Sequence, residues 1–187
     1  METPSLSEIR QSLAGTRELL RGNKAGLTHF NLTEDGFWRS FFALLLVLPL
    51  MLVVDGVFSA NETTALTAKL TRSSVNLILH WMLFAAIALP LCHAAGLGQR
   101  YMAFITVYNW SSIIVVAMFL VPALFVLSGI LTLEGGQFFI TATSIYAIYF
   151  LWFAAKTALE SNAWVAAGFI LLDFCLNVIV NGLLGLN

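Results

Sequence analysis

The chain has 187 residues, of which 59% are hydrophobic and 10% charged, with a formal net charge of −1 and a mean hydropathy of +0.88. Soluble domains carry about 25% charged residues, so this chain lacks the charges to cover a water-facing surface, and hydrocarbon is the solvent that suits it. The near-zero net charge gives no footing for nucleic acid, and Cys92 and Cys175 lie alone in apolar runs, reading as small hydrophobes.

Residues 1–33 form the one polar stretch of any length and are expected to be a cytoplasmic N-terminal segment. They contain no apolar h-region of a cleavable signal. Ser5-Leu6-Ser7-Glu8 after Pro4 is a capping box that starts a helix. Leu6, Ile9, Leu13 and Leu20 then recur at helical spacing, with Arg10, Arg17, Arg21 and Lys24 interleaved, and Gly22 ends the pattern. A basic amphipathic helix of this kind is expected on the membrane surface, held by anionic lipid.

Residues 34–187 are expected to form a transmembrane domain of five helices, spanning about 37–59, 74–95, 101–128, 137–155 and 163–185. Thr33-Glu34-Asp35 supplies a cap and two acids for the first span, with Arg39 and Asp55 near its two interfaces. Asn61 to Arg72 reads as a hydrophilic loop. Tyr101 to Leu133 is uncharged and read as one long helix to about Ser128, followed by a turn over Thr132 to Gly136. Lys156 to Asn162 forms the last connection. The fold class is therefore all-α, a polytopic five-helix bundle with an N-terminal amphipathic helix. Seven basic residues (Arg10, Arg17, Arg21, Lys24, Arg39, Arg100, Lys156) fall on one side and Lys69 and Arg72 on the other, which puts the N-terminus in the cytoplasm and the C-terminus outside.

Asp173 lies in the middle of the fifth span, where an ionised carboxylate costs roughly 2.5–3.5 kcal/mol. Asn177 and Asn181 follow at i+4 and i+8, on the same helical face. That stripe is read either as an ion or proton relay or as an interhelical clasp. His80 matches the depth of Asp173, and Asn109 is placed as a further member of this face. Tyr108 and Trp110, in TVYNWSS, read as an interfacial aromatic belt. His80 and His93 are 13 residues apart in one span, but no other span offers a second histidine, so haem and zinc are both rejected and no cofactor is expected. Pro49, Pro90 and Pro122 each break one ladder bond in the first three spans. Asn61-Glu62-Thr63 matches a glycosylation sequon, a short pattern of little weight. There is no nucleophile elbow, phosphate loop or metalloprotease helix, so the chain is expected not to be an enzyme.

The cytoplasmic N-terminal segment, five closely spaced spans, proline-bearing early helices and the TVYNWSS segment resemble the Yip1-type membrane proteins, over about residues 37–185. GLTHFNLTEDGFWRSFFA is similar to a segment of small alphaproteobacterial proteins. The resemblance implies a helical bundle without a catalytic site, of a kind tied in eukaryotes to trafficking and membrane shaping, and transfers no site residues. The expectation is a non-enzymatic bacterial inner-membrane protein that assembles with a partner, itself or lipid; the alternative is a small transporter or channel using the Asp173, Asn177 and Asn181 face.

Overall fold

The computed structural model describes residues 3–58 and 66–183, and among these it contains seven α-helices and no strand. They are α1 (Leu6–Leu20), α2 (Glu34–Ser40), α3 (Phe42–Phe58), α4 (Leu66–Ala94), α5 (Tyr101–Leu127), α6 (Leu133–Leu159) and α7 (Ala163–Leu183), with short 3-10 turns at Lys24–His29 and Gly98–Arg100. Five stretches, Glu34–Phe58, Leu70–Ala94, Gly98–Leu127, Leu133–Leu159 and Ala163–Leu183, are long and apolar enough to cross a bilayer. The protein is a multi-pass helical membrane protein. The expected sequon at 61–63 lies outside the described residues.

Four boundaries differ from the sequence reading, each for a local reason. The first span is two helices, α2 and α3, broken at Phe41 rather than at Pro49. Just before the break, the Ser40 hydroxyl donates to the Phe37 carbonyl at 2.6 Å, a local bond of the kind that bends a helix. The end of the expected hydrophilic loop is instead the first turns of α4, where Thr71 and Ser74 donate back to the carbonyls of Thr67 and Leu70. Thr132 to Gly136 is a helix start, with the Thr132 hydroxyl accepting from Gly135 N–H. Gly136 is there for packing: a Cβ would come within 2.3 Å of Val126. The connection expected over Lys156 to Asn162 shrinks to 160–162, because α6 runs to Leu159 and the Asn162 side chain caps α7 through Trp164 and Val165 N–H.

Helix α5 is the centre of the bundle. It touches α1, α2, α3, α4 and α6, and every residue from Ala103 to Ser111 is buried. Its apolar character runs all round the helix, which suits a central position. Tyr108 and Trp110 are therefore buried and do not form the expected interfacial belt.

The N-terminal segment is docked on the bundle. Ser5 caps α1 through Glu8 N–H, but the Glu8 carboxylate does not close the box. It takes an Asn31 amide at 3.2 Å and pairs with Arg39, also at 3.2 Å, tying α1 to the first span. Buried on α1 are Ser12, Gly15, Thr16 and Leu19, whereas Leu6 of the expected apolar stripe is 75% exposed. Small residues face inward because the backbone itself makes the contact: Gly15 lies against Gly26, where a Cβ would stand 2.5 Å from the Gly15 carbonyl oxygen. Gly22, at φ 79°, takes the left-handed turn that folds Lys24–His29 back onto α1. Lys24 consequently lies outside α1, and Tyr146 of α6 donates to the Leu20 carbonyl at 3.0 Å.

Candidate functional site

Three helices converge on one carboxylate. Asp173 Oδ1 on α7 accepts from the Tyr108 hydroxyl of α5 at 2.5 Å and lies 3.0 Å from His80 Nε2 of α4. The same Nε2 is 3.2 Å from the Asp173 backbone carbonyl. Both neighbours of Nε2 are acceptors, so this nitrogen carries the hydrogen and Nδ1 keeps the lone pair in the neutral ring. The His80 and Asp173 side chains retain 13% and 16% of their exposure, so the cluster is largely but not fully closed.

The layers on either side of the cluster differ in chemistry. One turn toward the Arg100 end, each helix contributes a phenylalanine: Phe84 from α4, Phe104 from α5 and Phe169 from α7. All three are buried, with Phe104 5.9 Å from Phe84 and 5.1 Å from Phe169 between ring centroids. The ring of Tyr108 continues the stack at 4.5 Å from Phe84. One turn toward the Leu183 end, the same helices carry Asn76, Ser112 and Asn177. Asn76 donates to Asn181 at 2.7 Å, and Asn181 donates to Asn177 at 2.8 Å. Asn177 is exposed, and the buried Asn76 Oδ1 has no hydrogen-bond partner. Asp173, Asn177, Asn181 and His80 thus share one seam between α4 and α7.

Asn109 belongs to a separate node, correcting its placement on the Asp173 face. It is fully buried, its Oδ1 accepts from Trp81 Nε1 at 2.5 Å, and its Nδ2 donates to the Ser40 hydroxyl at 2.9 Å. Neighbouring residues of a helix point about 100° apart, so Tyr108 and Asn109 serve different partners. The seam residues overlooked in the sequence are Tyr108 and Asn76. Asn76 precedes His80 by four residues, the same one-face spacing that picks out Asn177 after Asp173.

The basic residues of the N-terminal segment are on the surface. Arg10, Arg17, Arg21 and Lys24 are exposed, with Arg17 and Arg21 flanking Glu18 at 3.9 and 3.6 Å. Arg100 pairs with Glu160, bringing the α4–α5 and α6–α7 connections together. Among the described residues no group of three His, Cys, Asp or Glu side chains could hold a metal ion. The site offers hydrogen-bonding and proton-bearing groups in an apolar setting, and no activated nucleophile.

Neither protein-family models, nor curated proteins, nor solved structures match the chain.

Proposed function

We propose that the protein is a non-enzymatic membrane protein that works by assembly, pairing with a second copy of itself through α7. The observation that carries this reading is the outward face of α7. Trp164, Gly168, Leu171, Cys175, Val178 and Gly182 recur at alternating spacings of four and three, and all six are exposed. That repeat is the seam of a left-handed helix pair, and small residues at every second position allow the close approach that drives helix association in lipid. A Cβ at Gly168 would meet nothing within 4 Å, leaving room for a facing helix.

Copies inserted in one orientation pair α7 in parallel, so each residue of the seam meets its own counterpart. The exposed Cys175 thiol then faces a second Cys175. Close packing brings such pairs within the roughly 4.4–6.8 Å Cα separation that a disulfide needs. Treating membranes with copper phenanthroline in air, which removes two electrons and two protons from the thiol pair, should give a covalent dimer. The dimer should vanish in Cys175→Ala, persist in Cys92→Ala and fall at least tenfold in Gly168→Ile. A chain that stays monomeric, or a cross-link that survives Cys175→Ala, contradicts pairing through this face.

The excess of basic residues on the Arg100 side supports placement in a bacterial inner membrane with the N-terminus in the cytoplasm. There the exposed Arg10, Arg17, Arg21 and Lys24 would meet anionic headgroups. The resemblance of the membrane region to the Yip1-type proteins accords with a role in membrane organisation.

A further inference from the structure

We propose that His80, Asp173 and Tyr108 bind one exchangeable proton inside the membrane, and that this site is reached only from the Leu183 end, past Asn177, Asn181 and Asn76. The site is independent of α7 pairing, because all three residues belong to one chain and Asp173 lies on the side of α7 that faces α4 and α5.

The cluster carries an unbalanced charge. With the carboxylate ionised and the imidazole neutral, it holds one net negative charge in hydrocarbon. Uptake of one proton, either on the free lone pair of His80 Nδ1 or on an Asp173 carboxylate oxygen, removes that charge. Tyr108 fixes the carboxylate without changing the count, since its hydroxyl is a neutral donor at 2.5 Å. The groups facing the cluster are His80 and Asn76 from α4, Tyr108 and Ser112 from α5, and Asn177 and Asn181 from α7 itself. Helix α6 lines the groove beside α7 with Ile145, Ile148, Tyr149 and Trp152, none of them charged. None of these supplies a fixed cation, so a proton is the charge that balances Asp173.

The layers on its two sides are asymmetric. Toward the Arg100 end, the buried Phe84, Phe104 and Phe169 rings stand in contact and present no hydrogen-bonding atom to a proton or water. Toward the Leu183 end, every side chain of the next layer is polar, one of its acceptors is unsatisfied, and Asn177 is exposed. A proton can be handed along amides and water on that side alone. A pure packing clasp would not need one apolar and one polar flank.

The test uses the full chain in lipid nanodiscs and pH-difference infrared spectra. Acidification should change the carboxyl bands of Asp173; Asp173→Asn should erase that change. Tyr108→Phe should keep it but shift its frequency, because the carboxyl loses its shortest hydrogen bond, and this variant decides the matter should Asp173→Asn fail to fold. A spectrum without a pH-dependent carboxyl change, or with one untouched by both substitutions, overturns the site. One-sided access is read by cysteine labelling in the Cys92→Ala, Cys175→Ala background with a membrane-impermeant thiosulfonate. Asn177→Cys should react at least tenfold faster than Phe104→Cys; equal rates overturn the aromatic plug.

Discussion

Asn109→Leu should lower the stability of the bundle by about 2 kcal/mol, although it keeps the branching of the side chain and adds apolar surface. Asn109 is 0% exposed, and its Oδ1 accepts the Trp81 indole N–H at 2.5 Å. Truncating one side of a buried hydrogen bond leaves the other side desolvated, at about 1–3 kcal/mol per group. Interhelical bonds in membranes average only about 0.6 kcal/mol, because the separated helices find other partners. Here Trp81 is itself 4% exposed and walled in by the central helix, so the upper part of the range applies. The Ser40 hydroxyl loses less, since it still donates to the Phe37 carbonyl. Denaturation in mixed detergent micelles, followed by tryptophan fluorescence, measures the loss. An effect below about 0.5 kcal/mol, within the scatter of neutral surface substitutions, would show that the node contributes little.

Gly26→Val should release the N-terminal segment while leaving the five spans in place. The new Cβ would stand 2.5 Å from the Gly15 carbonyl oxygen and 3.1 Å from Glu18 and Leu19 atoms. A backbone oxygen cannot swing aside as a side chain does, so α1 must move; overpacking of this kind costs about 1–3 kcal/mol. Once α1 opens, Glu8 loses Asn31 and Arg39, and Leu20 loses Tyr146. Trypsin cleavage at Arg10, Arg17 and Arg21 should then quicken at least tenfold, equivalent to about 1.4 kcal/mol of opening free energy. An unchanged rate would mean that the two glycine backbones do not hold this junction.

What was legible in the sequence follows the periodicities. Uncharged runs near 20 residues mark spans whatever their neighbours, and among the described residues five helical stretches are long and apolar enough to cross a bilayer. The i+4 and i+8 spacing of Asp173, Asn177 and Asn181 defines a face before any partner is known, and His80 meets it. Packing order was not legible. Nothing in TVYNWSS distinguishes an interfacial Tyr108 from a buried one until α5 is known to be surrounded. Glu8 reads locally as half of a capping box, yet Arg39, 31 residues away, takes its carboxylate. The apolar stripe of α1 misleads for a related reason: its inward face is chosen by backbone closeness at Gly15 and Gly26, which a hydrophobic pattern does not record. Helix ends shifted wherever a hydroxyl or amide cap decided them, as at Thr132 and Asn162.

The sharp division between an aromatic layer and an amide layer around Asp173 has its origin in register. His80, Tyr108 and Asp173 sit at one level, and each helix repeats its face after one turn, so three phenylalanines align on one side and polar side chains on the other. A slip of α7 by one residue against α4 would separate Asp173 from His80 and Asn181 from Asn76 at once. The seam thus fixes the register of the last span as well as presenting chemistry.

All of this rests on helices that cross a bilayer. Polarised infrared dichroism of the full chain in aligned lipid bilayers measures their direction. Five spans, outweighing the shorter α1, should give a mean helix tilt below about 40° from the membrane normal. Helices lying in the membrane plane, or a chain that leaves the lipid as a stable soluble monomer, would contradict the account.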